Sequence, residues 1–198
     1  MTYMQFNELN QNYKNSIMLW LLTLTVMVFL IIIIGGLTRL TDSGLSMVDW
    51  RPILGTLPPF NNNQWLDVFN DYKLTPEFLY VNKNMTLEEF KYIFWWEWFH
   101  RFFARLIGLV FIIPFLYFLF KKNLNSFFYK RFLIIFSLGI LQALVGWWMV
   151  KSGLSEDPYV SPYRLTFHLT NAVIIYALLL WTTIEYYNSK SASFISCS

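Results

Sequence analysis

Apolar residues along most of this chain do not alternate with polar ones; they run together. Four stretches, about residues 17–37, 99–120, 132–150 and 165–184, stay apolar over roughly the 20 residues a helix needs to cross hydrocarbon. None is broken by a run of polar residues that would make it a surface helix, so the pattern predicts four transmembrane helices. The 40–98 segment between the first two is long for a connection in a four-helix protein. It opens in "GGLTRLTDSGLS", where Gly35, Gly36 and Gly44 are expected to loosen the backbone and Arg39 marks the interface. It continues through "DWRPILGTLPP", a proline-punctuated irregular stretch. "TLEEF" then sets Thr86 three residues before Glu89, a capping-box spacing. Leu87, Phe90 and Phe94 repeat at helical spacing after it, which predicts an amphipathic lead-in to the second helix. Trp95, Trp96 and Trp98 form an aromatic belt at the entry of that helix, and Pro114 is expected to kink it. The third helix carries a small-residue face, Gly139, Ala143 and Gly146, suited to close packing. The fourth has a start signal, Ser161 as cap and Pro162 at the first helical position.

Composition agrees and narrows the class. With 56% hydrophobic and only 14% charged residues, the 198 residues are no soluble domain. The expected fold is all-α and integral to the membrane, one membrane domain over residues 1–198 built as a four-transmembrane-helix bundle. The net charge of +3 is not gathered into one basic patch, so nucleic acid is not an expected partner. Its placement instead sets an orientation. The short loop "KKNLNSFFYKR" holds Lys121, Lys122, Lys130 and Arg131 with no acid, which marks it as cytoplasmic or matrix-side. The 40–98 segment carries four Lys/Arg against eight Asp/Glu, and the 151–164 loop two of each. Both are expected to face outward, with both termini inside. The single cysteine, Cys197, allows no intrachain disulfide.

The candidate chemistry lies in "WWEWFHRFFARLIG", where Glu97, His100, Arg101 and Arg105 stand at the edge of an apolar span. The only other histidine is His168. Helices two and four run in the same direction. Counted from their expected inner ends, His100 and His168 lie about 30 and 24 Å deep at 1.5 Å per residue, a mismatch of about one turn. Glu97, His100, Ala104 and Gly108 share one stripe; His168 and Ala172 lie one turn apart, with Asn171 beside them. Small residues beside a histidine leave room for something flat and wide, and a porphyrin held by two axial imidazoles meets that description. Other readings stay open. A membrane histidine is often only a hydrogen-bonding group, and two histidines with Glu97 would make a sparse zinc site. Arg101 and Arg105 would pair with Glu97, meet porphyrin propionates, or reach back to the interface.

Four stretches, "GGLTRLTDSGLSMVDWRPILGTLPP", "EEFKYIFWWEWFHRFFARLIGLVF", "LQALVGWWMVKSGL" and "VSPYRLTFHL", occur in the order that resembles haem A synthase of the mitochondrial and alphaproteobacterial kind. The resemblance covers residues from about 20 to 175. It implies oxidation of one ring methyl of haem O to a formyl group, in two successive hydroxylations, to make haem A for cytochrome oxidase. It implies one half of an eight-helix pseudo-symmetric fold, in which each half has a histidine pair. His100 and His168 would be the axial iron ligands of the substrate-side half, Arg105 a further haem-binding residue, and Glu97 the catalytic glutamate one turn before the first histidine. The 40–98 loop has no cysteine, in keeping with the mitochondrial type.

A haem b cofactor is expected in the other half, on a split gene product or a longer chain. The expected partners are that C-terminal half, haem O synthase, cytochrome oxidase assembly proteins, membrane lipid and a second copy of the chain. The implied location is the mitochondrial inner membrane or a bacterial cytoplasmic membrane. The opening "MTYMQFNELNQNYKNS" has one lysine and no arginine, and the first span lacks the flank and cleavage site of a removable signal. Neither an import presequence nor a signal peptide is therefore expected, and a mitochondrial form would be encoded in the organelle. Two rival readings remain, a b-type cytochrome electron carrier and a non-catalytic haem-handling assembly factor.

Overall fold

A computed structural model describes residues 11–49, 57–121, 124, 126–155 and 157–195. Cys197, Lys122, most of the "DWRPILGTLPP" stretch and the first ten residues of the opening lie outside the described residues. The elements are α1 (Gln11–Leu40), α2 (Asn62–Lys73), α3 (Pro76–Tyr80), α4 (Leu87–Phe120), α5 (Ser126–Gly153) and α6 (Pro162–Ile195), with no strand among the described residues. Four stretches, Tyr13–Leu40, Leu87–Phe120, Phe127–Gly153 and Pro162–Asn188, are long and apolar enough to cross a membrane. The fold is thus an all-α, four-helix membrane bundle, as the apolar runs predict.

The helices exceed the apolar runs because polar first and last turns continue them. The lead-in at Leu87 is one helix with the second span. Its capping box forms: the Thr86 N–H donates to Glu89 Oε2 at 2.8 Å, and the Glu89 N–H to Thr86 Oγ1 at 3.4 Å. α6 starts at Pro162, as the Ser161-Pro162 pair predicts.

The close of α1 departs from expectation. Gly35 and Gly36 lie inside the helix, and no described glycine has positive φ. The left-handed residue is Asp42, at φ 47, where the Ser43 N–H returns to the Thr38 carbonyl at 3.0 Å. Asp tolerates this conformation better than most residues, and its carboxylate pairs with Arg39 at 2.8 Å.

The chain packs as two compact units. The first draws on Met1–Leu30, Leu106–Leu141 and Asn171–Ser198. Its centre is Trp20, whose ring meets Phe111, Phe118 and Phe132 at centroid distances of 5.8, 5.7 and 5.0 Å. The Trp20 indole N–H donates to the Val110 carbonyl at 2.8 Å. That carbonyl is the one Pro114 leaves without its i+4 donor, since proline has no N–H. The helix assignment runs unbroken through Pro114, where sequence suggested a kink. In hydrocarbon a freed carbonyl needs a partner from a neighbouring helix, and Trp20 is that partner. α6 joins the unit through Thr25 and Thr183, whose hydroxyls lie 3.0 Å apart, and through the Arg131–Glu185 ion pair. Gly139 was expected to pack closely against a neighbour. A Cβ there would meet nothing within 4 Å, and the residue is exposed.

The second unit comprises Ile31–Arg105 and Gln142–Thr170. Its core is aromatic: Met47, Trp65, Phe69, Tyr72, Phe90, Ile93 and Phe94 pack together, closing α2 and α3 against the start of α4. Within it Glu77 is buried, with Tyr72 Oη donating to Glu77 Oε2 at 2.9 Å and Asn82 Nδ2 donating to Tyr72 Oη at 2.8 Å. Burial is the main cause that pushes the Glu77 carboxyl up to about 7; Glu97 and Asp42 add to it, while Tyr72 and Arg39 oppose. Burial also raises the Tyr72 phenol, with Glu77 contributing.

Two outcomes follow from these packings. Trp20→Phe should destabilise the first unit by about 1 kcal/mol through the orphaned Val110 carbonyl, and Pro114→Ala should remove most of that penalty. A thermal-unfolding double-mutant cycle in detergent measures it, and additive effects would separate Trp20 from Pro114. For Glu77, a raised folded value means that its stabilising protonated form is complete below the ordinary carboxylate range, near 4.5, and is lost as pH rises through about 7. Hydrogen exchange at residues 72–82 should therefore quicken between these pH values, and Glu77→Gln should flatten the dependence.

Candidate functional site

Glu97, one turn before His100, is almost fully buried, at 2% exposure. A carboxylate so placed needs donors, and three converge on it. Ser46 Oγ and the Met47 N–H donate to Oε2 at 2.7 and 2.8 Å, and the Arg101 guanidinium pairs with Oε1. Arg101 also donates to the Met47 carbonyl at 3.1 Å. The i,i+4 pair expected from sequence therefore exists, but it does more than neutralise charge. It staples the turn after α1 to the first half of α4.

The two histidines lie in the same unit. Each ring rests on a glycine of a neighbouring helix. A Cβ at Gly35 of α1 would stand 3.2 Å from His100 Nε2, and one at Gly146 of α5 would stand 3.0 Å from His168 Cε1. Any larger residue at either position would push the ring aside. Gly35 thus provides clearance, rather than the backbone looseness expected of it.

His168 has a second neighbour that sequence reasoning missed. Gln142 Nε2 lies 3.1 Å from both the His168 carbonyl oxygen and His168 Nε2. The signal was available: an amide inside an apolar span has to find a partner. The other ring nitrogen, Nδ1, is buried and has no hydrogen-bond partner among the described residues.

Of the remaining expected site residues, Arg105 is partly buried on α4, one turn beyond Arg101. Ala104 and Gly108, which share the stripe of His100, are exposed. Asn171, placed beside His168 by sequence, donates across to the Leu138 carbonyl at 3.1 Å in the first unit. α6 runs on to Ile195, past the Pro162–Asn188 stretch that is long and apolar enough to cross a membrane. His100 lies 20 residues before the end of the α4 stretch at Phe120, and His168 lies 20 before the end of the α6 stretch at Asn188. Each imidazole packs on its own glycine, His100 on Gly35 and His168 on Gly146. Among the described residues no cluster of three His, Cys, Asp or Glu suits a metal ion, so Glu97 does not join the histidines in a zinc site. Trp95 and Trp98 do more than anchor an interface. Trp95 stacks edge-on with Trp98 at 5.3 Å, and Trp98 packs on the aromatic core.

A family model described as cytochrome oxidase assembly protein, COX15-CtaA, matches residues 18–196. Haem A synthase of Nitrosospira multiformis is 51% identical over 175 residues, 88% of this chain and 49% of the relative. That of Nitrosomonas eutropha is 52% identical over 175 residues, with the same shares. That of Parvibaculum lavamentivorans is 43% identical over 182 residues, covering 92% of this chain and 53% of the relative. The chain spans about half the length of these relatives. No solved structure matches it.

Arg101→Met should strand the Glu97 carboxylate and destabilise the second unit by about 3 kcal/mol, as removal of one partner from a buried pair does. Chemical unfolding in detergent, together with faster exchange of the Met47 amide, measures this; an unchanged midpoint would make the staple dispensable.

Proposed function

The chain belongs to the COX15-CtaA family of cytochrome oxidase assembly proteins, and on that premise we propose that it forms the haem O-binding half of a haem A synthase. The proposed reaction converts one ring methyl of haem O to a formyl group by two successive hydroxylations, and the haem A formed goes to cytochrome oxidase. One observation carries the reading. The chain's two histidines lie in one unit, each over a glycine whose missing Cβ leaves the ring its place. Imidazole is a common axial ligand to haem iron, and helix bundles hold such groups between facing helices.

Bound haem supplies redox chemistry that no side chain of this set performs alone. The protein's own part is binding, orientation and exclusion of water. His100 and His168 would grip the iron from their two helices. Arg105 would meet a propionate carboxylate, for which its planar guanidinium is suited. Glu97, with both oxygens engaged, supports a positioning role: it fixes the 43–47 turn against the helix that carries His100. The proton-transfer role expected from sequence would require one of those donors to let go. The expected haem b site belongs to the half of the relatives that this chain does not cover. Lys121, Lys130 and Arg131 support a topology with both termini on the cytoplasmic or matrix side of a bacterial or mitochondrial inner membrane.

The test is spectroscopic and chemical. The purified chain should take up haem in a low-spin, bis-imidazole form, and His100→Ala and His168→Ala should each abolish that signature. Extracted pigment containing a hydroxylated or formyl haem supports the synthase. Tightly held haem b alone would make the protein an electron carrier, and no haem at all an assembly factor. Glu97→Gln should lower haem occupancy and turnover together; turnover lost at full occupancy would restore the proton-transfer role.

A further inference from the structure

We propose that Gln142 is a latch on His168, competing with haem iron for its Nε2 and keeping that axial bond exchangeable. The inference rests on the haem reading above. Gln142 Nε2 lies 3.1 Å from the His168 carbonyl oxygen, which can only accept, so the amide turns its NH2 and not its oxygen toward the ring. The same NH2 lies 3.1 Å from His168 Nε2. Its second hydrogen donates there, which requires a bare Nε2 and places the ring proton on Nδ1. The imidazole is thereby held in the tautomer that ligates iron through Nε2, and the amide occupies the lone pair iron would take.

The far side of the ring matters equally. A ligating histidine almost always donates its other N–H to a carboxylate, carbonyl or water, which raises its basicity. His168 Nδ1 is buried and makes no such bond to a protein group among the described residues. Its close neighbour is Gly146, where a Cβ would lie 3.5 Å from Nδ1 and offer no acceptor. Iron at His168 must therefore displace a hydrogen-bond donor, and what it gains is an imidazole with no support behind it. For a permanent cofactor both features are liabilities. For a substrate that must leave once oxidised, they shorten its stay, and Gln142 closes on the bare nitrogen when the iron departs.

The probe is ferric protohaem bound to the full chain in detergent, its release followed by transfer to excess apomyoglobin. Gln142→Met keeps the length of the side chain and removes the N–H; Gln142→Leu is a second apolar variant. Each should slow release and tighten binding about fivefold, the equivalent of one neutral hydrogen bond of roughly 1 kcal/mol. In a His168→Ala background the same substitutions should change nothing. Unchanged or faster release from a Gln142 variant that retains the low-spin spectrum overturns the latch and leaves the haem reading intact. So does an equal effect with and without His168. Failure of the unmodified chain to bind protohaem through His168 overturns the haem reading, and the latch with it.

Discussion

A charged carboxylate in a dry protein interior persists only if the fold brings donors to it. Glu97 meets that constraint with a hydroxyl, a backbone N–H and a guanidinium, two of them from residues about fifty positions earlier in the chain. Those partners are the turn that ends α1. The chain reverses there through Asp42, the one described non-glycine residue with positive φ, and arrives at Ser46 and Met47 ready to meet the carboxylate. Through this contact α1 and the first half of α4 are held in one register, and Gly35 comes to lie under His100. The charge cluster in "WWEWFHRFFARLIG" is thus first a fastening and only then a site.

Hydrogen-bond satisfaction shapes the first unit in the same way, with neutral groups. Pro114 frees a carbonyl inside α4, and Trp20 answers it from α1. Thr25, Thr182 and Thr183 turn their hydroxyls onto carbonyls four residues back. These groups are answered locally or from the adjacent helix, as a solvent without hydrogen bonds demands.

Much of this was legible in the sequence, and what was not has a common cause. The four spans were visible because twenty apolar residues in a row have few other uses. The Thr86–Glu89 box and the Glu97–Arg101 pair were visible because both partners lie within one turn. Ser46 and Met47 were not, because nothing local marks two loop residues as partners of a glutamate fifty positions on. Gly35 was misread for the same reason: whether a helical glycine gives looseness or clearance depends on the residue opposite it. Gln142 was missed, although it is an amide in an apolar run, because its partner lies 26 residues away. Polar residues extend α6 past its apolar run, which the run alone does not reveal.

The aromatic core of the second unit has one more consequence. Met47, Trp65, Phe69, Tyr72, Phe90 and Phe94, with the Glu97 fastening, all come from a single continuous stretch of chain that ends in the first half of α4. During synthesis that body can close as soon as its own stretch has emerged, while α5 and α6 are still unmade. His100 then waits in a finished wall, and the histidine opposite arrives only with the last helix. The second histidine is therefore supplied only once the fourth span has been translated.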